Sequence, residues 1–291
     1  MPRSTINGTA IDLDGKEMIL DADQDTTLTA DTDDQIDIKV AGSDKLKIDA
    51  SSHLVTTTAG TSNLVLGVNA GNSIASGGNY NVCLGDEAGT ALTTGDNNVA
   101  VGFEALATED ANSNNTAVGY RALKTLNAGA DANNTAVGHQ AGTAVTTGIE
   151  STFIGSFAGD ALTDGGNNTA LGAYALTSDT RGSKTTAIGN GALFSQNFTS
   201  ATDTYNTAVG YSAGVAVTTG TSNTLVGSNA GDALTTGADN VAIGNFALSA
   251  EDGHGKNVAI GRDALLVQNA GADGYNVAVG YDAGTSITTG I

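Results

Sequence analysis

Apolar and polar residues follow one short pattern that recurs along most of this chain. In residues 98–105 it reads Asn-Val-Ala-Val-Gly-Phe-Glu-Ala: Asn, two or three apolar residues, Gly, any two residues, then Ala. Its glycine occurs thirteen times, at steps of 17 to 21 residues. A short, nearly constant period predicts a stacked repeat. The pattern glycines are Gly67, Gly85, Gly102, Gly119, Gly138, Gly155, Gly172, Gly189, Gly210, Gly227, Gly244, Gly261 and Gly280.

The length of the period separates helical from β repeats. Repeats built from two helices need about 33 residues or more, which is twice the spacing seen here. A coil of two short strands and two turns fits instead. Glycine supplies backbone angles that are closed to other residues at a sharp corner, and Asn tolerates the left-handed conformation and forms ladders between stacked copies. The sequence therefore predicts an all-β chain, a parallel β-roll or β-solenoid of about 13 coils with a period of about 17 residues.

Each predicted strand offers two apolar faces. The residue before the glycine is a large aliphatic, such as Val101 or Ile188, and the residue before that is mostly Ala, as at Ala100, Ala117 and Ala136. We expect the large residues to fill the interior of the coil. The small residues would then form an outer face against which another backbone packs closely.

A second period lies over the first. After the repeat alanine, two coils with Gly alternate with two coils with Leu, which gives a super-period of about 71 residues. The second leucine coil of each unit carries a long polar loop, at 127–133, 195–205 and 268–275. Duplication of a four-coil block is the simpler explanation. The alternative is functional, with every fourth loop projecting to contact a partner.

Residues 1–60 lack the repeat. Runs in which every second residue is apolar, such as 35–40 and 45–49, predict strands with one buried face. So short a region buries little core by itself, and we expect it to be an N-terminal β region that anchors or caps the solenoid. Residues 61–291 form the predicted solenoid shaft, which we expect to continue beyond Ile291 because the chain stops partway through a coil.

Composition and charge narrow the class of protein. With 40 glycines, one proline and no tryptophan in 291 residues, the chain favours a thin rod of roughly 58 Å, since coils stack about 4.8 Å apart. A net charge of −20 argues against a nucleic-acid partner. No stretch reaches the length of a membrane span, so we expect no membrane insertion. Cys83 replaces a strand alanine and is expected in the core.

Candidate catalytic and metal-binding residues are scattered. His53, His139 and His254 have no ligand spacing. Segment 21–25 opens like a calcium loop, but Thr stands where that loop needs its glycine and its closing acid. The acids of the repeat fall mostly in variable loops: Glu109, Asp110, Asp131, Asp179, Asp203, Glu251, Asp252 and Asp273.

The regular aromatic residues are also expected to be structural. Tyr120, Tyr211 and Tyr281 each follow a repeat glycine, and we expect them to pack at coil edges rather than form a sugar-binding track. A glycan-cleaving enzyme needs two carboxylates facing each other, usually with aromatic platforms. We therefore expect no catalytic, cofactor-binding or metal-binding residues and no enzymatic activity.

The runs at 240–247 and 257–261, Asn-Val-Ala-Ile-Gly with its continuation, resemble the head repeat of trimeric autotransporter adhesins. They look even more like repeat-containing tail-fibre and structural proteins of bacteriophages. The resemblance covers about residues 62–291. In the adhesins it implies a left-handed parallel β-roll with three chains about one axis, for which the face of Ala100, Ala117 and Ala136 would be suitable. The period of 17 residues departs from the adhesins. We also expect neither a signal peptide nor a membrane anchor, and a virion protein released by lysis needs neither of these two.

The leading hypothesis is a structural, non-enzymatic fibre or spike protein of a bacteriophage. It would be a homotrimeric β-solenoid located in the virion and assembled in the host cytoplasm. Its N-terminal region would dock on other virion proteins, and its distal part would meet a host surface glycan or protein. The alternatives are a cellular surface adhesin of the trimeric autotransporter-like type and a polysaccharide-degrading tail spike.

Overall fold

A computed structural model describes residues 18–20, 26–30, 36–41, 43–48, 54–56 and 59–290 of the chain. Every helix or strand element within these ranges is a β-strand. The N-terminal part is a meander of five antiparallel strands paired in chain order, which confirms the predicted small β region. Its strands are β1 (Met18–Ile19), β2 (Thr27–Ala30), β3 (Ile36–Val40), β4 (Ser43–Ile48) and β5 (Leu54–Thr56).

The repeats form one parallel sheet of thirteen three-residue strands, one strand per repeat. Neighbouring strands pair in register, so that Ala117 lies beside Ala136 of the next coil. The predicted parallel β-solenoid is confirmed. Its strands are β6 (Leu64–Leu66), β7 (Val82–Leu84), β8 (Val99–Val101), β9 (Thr116–Val118), β10 (Thr135–Val137), β11 (Thr152–Ile154), β12 (Thr169–Leu171), β13 (Gly182–Ser183), β14 (Thr186–Ile188), β15 (Thr202–Asp203), β16 (Thr207–Val209), β17 (Thr224–Val226), β18 (Val241–Ile243), β19 (Val258–Ile260) and β20 (Val277–Val279), of which β13 and β15 pair only with each other.

The prediction of a second strand in each coil is wrong, because the backbone after the glycine is not extended. The glycine and the second and fourth residues after it have positive φ, as in Gly102 (127°), Glu104 (52°) and Leu106 (51°). Alternating left-handed residues cannot build a strand. The turns stack instead, with the N–H of Glu104 donating to Asp86 O and the N–H of Leu106 donating to Ala122 O, both at 3.0 Å.

A column of asparagines precedes the strands and ties successive coils together. The backbone N–H of Asn240 donates to Oδ1 of Asn223 in the coil before (3.0 Å), and Nδ2 of Asn223 donates to the carbonyl of Gly237 (2.8 Å). The predicted asparagine ladder is therefore present. The left-handed conformation falls on the preceding residue, as at Ser222 and Asp239 (both φ 59°), and not on the asparagines as predicted.

The two faces of the strands are the reverse of the prediction. Their middle side chains point into the coil, so Ala117 and Ala259 are fully buried in the chain's own core. The large aliphatic residues lie outside, and Leu171 is 41% exposed. The interior is filled by buried leucines of the turns, such as Leu123 and Leu176. Small strand residues leave room for these leucines, because protein interiors are close-packed.

Core volume accounts for the four-coil super-period. In leucine coils a buried turn leucine accompanies a strand alanine, as in Leu176 with Ala170. The second glycine coil of each block has a larger buried strand residue: Cys83, Phe153 and Leu225. A Cβ added to Gly159 would lie 2.5 Å from Cε1 of Phe153. The phenylalanine thus occupies the space that the leucine fills elsewhere, and large residues at the two positions exclude each other.

Replacing Asn223 by Ala should lower the free energy of unfolding by about 1–3 kcal/mol, because the N–H of Asn240 and the carbonyl of Gly237 lose buried partners. Urea unfolding of the full chain measures the change. Thr219→Ala, at an exposed turn position, is the control and should stay within about 0.5 kcal/mol. Equal losses in the two variants would contradict a stabilising ladder.

Gly159→Leu should destabilise the chain by about 1–3 kcal/mol through overpacking against Phe153, although leucine is native at the equivalent Leu176. Adding Phe153→Ala should recover most of that loss, because the pair then matches Ala170 and Leu176. A double-mutant cycle on urea midpoints measures the coupling. Additive effects would show that the two positions do not share core volume.

Candidate functional surfaces

The outer face of the thirteen-stranded sheet carries two columns of side chains that the chain leaves uncovered. The first strand position is Thr, Val or Leu, and the third is always Val, Ile or Leu. Every one of these side chains is partly or fully exposed, including Ile154 (36%) and Ile243 (37%). Sequence reasoning missed this stripe because alternation alone does not say which face points inward.

A ladder of aromatic rings runs along the solenoid through six successive coils. Ring centroids of successive members lie 5.6, 5.0, 5.0, 5.3 and 6.4 Å apart, and three of the five pairs are stacked with interplanar angles of 8–16°. The members are Phe103, Tyr120, His139, Phe157, Tyr174 and Phe194.

Stacking covers ring faces that a sugar would need, so the ladder favours a packing role. For Tyr120 this confirms the predicted packing at a coil edge. Tyr211 and Tyr281 lie outside the ladder and are 60% and 69% exposed. The Arg121 guanidinium lies 4.9 Å from the Tyr120 ring centroid and binds Glu104, which adds a charged clamp to the ladder.

Three acids that the sequence placed in variable loops are fully buried: Glu109, Asp179 and Glu251. Each stands seven residues after its repeat glycine, a position that is aliphatic in the glycine coils, as at Leu92. This shared offset is the signal that could have found them. Asp179 is well satisfied, since its carboxylate accepts hydrogen bonds from Gln196 Nε2 (2.6 Å), Gly182 N and Phe198 N.

The long loops are fastened to the preceding coil. Lys256 Nζ lies 2.6 Å from Asp273 Oδ2, 3.1 Å from Tyr275 Oη and 5.1 Å from the centre of that ring. The hydrogen bond to Lys256 lowers the pKa of Asp273. Lys184, Asp203 and Tyr205 repeat this arrangement one block earlier, which favours duplication over loops that project freely toward a partner.

The histidines considered as candidate metal ligands do not lie near one another in the described residues. His53 and segment 21–25 lie outside the described residues, His139 belongs to the aromatic ladder, and His254 lies beside Glu251. Cys83 is buried, as expected, and burial raises the pKa of its thiol to about 12.

Segment 210–214 reads Gly-Tyr-Ser-Ala-Gly, the pattern of a nucleophile elbow. That motif acts where a strand turns into a helix, whereas here a stacked turn follows β16. Ser212 has a φ of 51°, and Asn229 and Phe246 adopt similar values at the same position of later coils. The match therefore follows from the repeat itself.

Burial raises the pKa of Glu109, so this carboxyl stays protonated to a higher pH in the folded state than in the unfolded chain. The stability that this carboxyl contributes is full at a pH below its unfolded pKa and is lost as the pH rises through its folded pKa. Glu109→Gln stays neutral and keeps the acceptor oxygen. The variant should therefore unfold at a higher urea concentration than the native chain at pH 7, with the advantage shrinking toward pH 4. An advantage that grows on acidification would contradict this account.

No helix with the length and apolarity needed to cross a membrane occurs in the described residues. Comparisons with protein-family models, with curated proteins and with solved structures found no match to this chain.

Proposed function

We propose that this chain is the shaft of a bacteriophage fibre or spike, a structural and non-enzymatic protein that works as a homotrimer. The N-terminal region would dock on other virion proteins, and the shaft would carry the host-contacting part away from the particle. The proposal also makes the virion its location and the host cytoplasm its place of assembly.

The architecture supports a spacer role. A parallel stack of coils lengthens by one coil for each added repeat, so duplication of a four-coil block extends the molecule without changing its cross-section. Thirteen coils give a rod of roughly 58 Å. The net charge of −20 helps such rods stay soluble.

The observation that carries the proposal is the exposed stripe on the outer face of the sheet. Its third-position column is aliphatic in all thirteen coils, and its first-position column is threonine in seven coils and aliphatic in six. A stripe about 58 Å long and 10 Å wide has a planar area of about 580 Å², and its accessible surface is larger because side chains project from it. That approaches the roughly 800 Å² per partner that a stable interface buries. Monomers rarely leave so long an apolar surface uncovered.

A second and a third copy of the chain are the occupants that fit best. The third strand position is aliphatic in every coil, so parallel copies would place one continuous aliphatic column against its counterpart. A three-fold axis along the solenoid puts all three N-terminal regions at one end, as docking on a particle requires. A two-fold axis across the solenoid would put them at opposite ends.

The full chain should have a mass in light scattering of three times 28.7 kDa. Ile154→Glu with Leu171→Glu, on the exposed stripe, should give single chains with an unchanged circular dichroism spectrum, because buried charges cannot pair across the interface. Thr147→Glu with Thr219→Glu, at exposed turn positions, adds the same charge elsewhere and should stay trimeric. A native chain of 28.7 kDa would overturn the trimer, and a trimeric stripe variant would overturn the assigned face.

The virion role needs a separate test. Gold-labelled antibody against the chain should decorate a fixed position on phage particles in electron micrographs. Decoration of cell envelopes alone would favour the surface adhesin. Release of reducing ends from host capsule polysaccharide by the purified chain would favour the degrading spike.

A further inference from the structure

The turn 251–254 brings together three side chains that the shaft does not need. Nδ1 of His254 lies 3.1 Å from Oε1 of Glu251 and 4.0 Å from Oδ1 of Asp252. One ligand atom from each of the three residues lies within 4.8 Å of the others. An imidazole nitrogen with carboxylate oxygens is a donor set of Zn²⁺ and related first-row cations.

A buried oxygen without a partner gives a second indication of a ligand. The side chain of Glu251 is 0% exposed, and its Oε1 accepts the backbone N–H of His254 at 3.1 Å and faces the imidazole. Its Oε2 has no hydrogen-bond partner. A buried carboxylate oxygen left in this way is costly. Asp252 and His254 are 55% and 29% exposed, so an ion can reach the carboxylate from solvent.

The chain contains a matched turn without the imidazole, at 109–112. Thr93 N donates to Asp110 O and Thr235 N to Asp252 O, both at 2.5 Å. An asparagine Nδ2 of the column donates to the last carbonyl of each turn, at 2.9 Å to Asn112 O and 3.1 Å in the later copy. The two turns therefore have the same backbone hydrogen bonds, and the fold does not require a histidine at the last position of the turn.

The exchange of side chains changes the chemistry of the turn. Asn112 Nδ2 donates to Glu109 Oε1 at 2.7 Å and has no lone pair to offer, whereas an imidazole nitrogen of His254 does. Glu109 also has an unpartnered Oε2, but the side chain beside its carboxylate is an amide that donates to Oε1. At Glu251 the imidazole Nδ1 of His254 lies 3.1 Å from Oε1 of the same carboxylate, and a second carboxylate, that of Asp252, lies 4.0 Å from this nitrogen.

We propose that Glu251, Asp252 and His254 bind one divalent first-row transition cation, with positions left open to solvent. Two carboxylates balance the charge of the cation, and the net charge of −20 draws cations toward the chain. The metal would lock the turn of one coil and plays no part in the fibre proposal, so either can fail without the other.

The test is equilibrium dialysis of the untagged full chain against Zn²⁺ alone, with metal content measured per chain. The native chain should bind one ion more than His254→Asn, which installs the side chain of the matched turn. His139→Asn removes the other described histidine and should keep the native count. Zn²⁺ should also raise the unfolding temperature of the native chain but not that of His254→Asn.

Asn112→His offers the reverse experiment, since it completes the same three residue types with Glu109 and Asp110 on the matched backbone. It should add one bound ion per chain. Equal Zn²⁺ content in the native chain and His254→Asn, or no binding by the native chain, would overturn the proposal. Circular dichroism confirms that each variant is folded, so a lost ion cannot be attributed to unfolding.

Discussion

The structure depends on hydrogen bonds between coils that no coil can make alone. One three-residue strand and a set of left-handed turns do not enclose a core, and the buried strand residue is usually alanine. Register must therefore come from polar contacts. Asn223 shows the common arrangement, in which Nδ2 donates to a carbonyl fourteen residues later and Oδ1 accepts the backbone N–H of the next column residue. The strand-ending glycines let coils approach, because a Cβ on Gly155 would lie 2.6 Å from the carbonyl oxygen of Gly172.

Left-handed leucines show how strain is offset in this core. Leu106, Leu123 and Leu176 hold φ between 47° and 55°, a conformation that costs roughly 1–2 kcal/mol for a residue with a Cβ. Burying a leucine side chain contributes about 1.5–3 kcal/mol, so the exchange is favourable where space exists. Where Phe153 fills that space, glycine takes the position and the strain disappears. The super-period therefore reflects two ways of filling the narrow interior, with a leucine of the turn in some coils and a larger strand residue in others.

Features of the fold that depend on residue spacing could be predicted from the sequence. The inward-facing side of the strands could not, because both orientations have the same spacing. Period, strand position and parallel stacking follow from the recurring glycines. Which strand face points inward depends on the turn leucines, whose direction is set by backbone angles that a pattern of letters does not contain. Glu109 and Glu251 fall in the variable part of the repeat, which predicts loops, although their offset from the glycine matches the core position of Leu92. The cluster at His254 was not predicted because its three side chains lie within four residues rather than at a familiar motif spacing.

The direction of the inter-coil hydrogen bonds also governs how the shaft responds to force. These bonds run along the length of the stack, so tension applied at its two ends passes through every interface between coils, and the interfaces can open one at a time. Each coil that opens frees about 17 residues, on the order of 58 Å of extended chain where it had occupied only about 4.8 Å. A stretched solenoid would therefore lengthen in steps of 17 to 21 residues, and this extension would absorb part of the applied work.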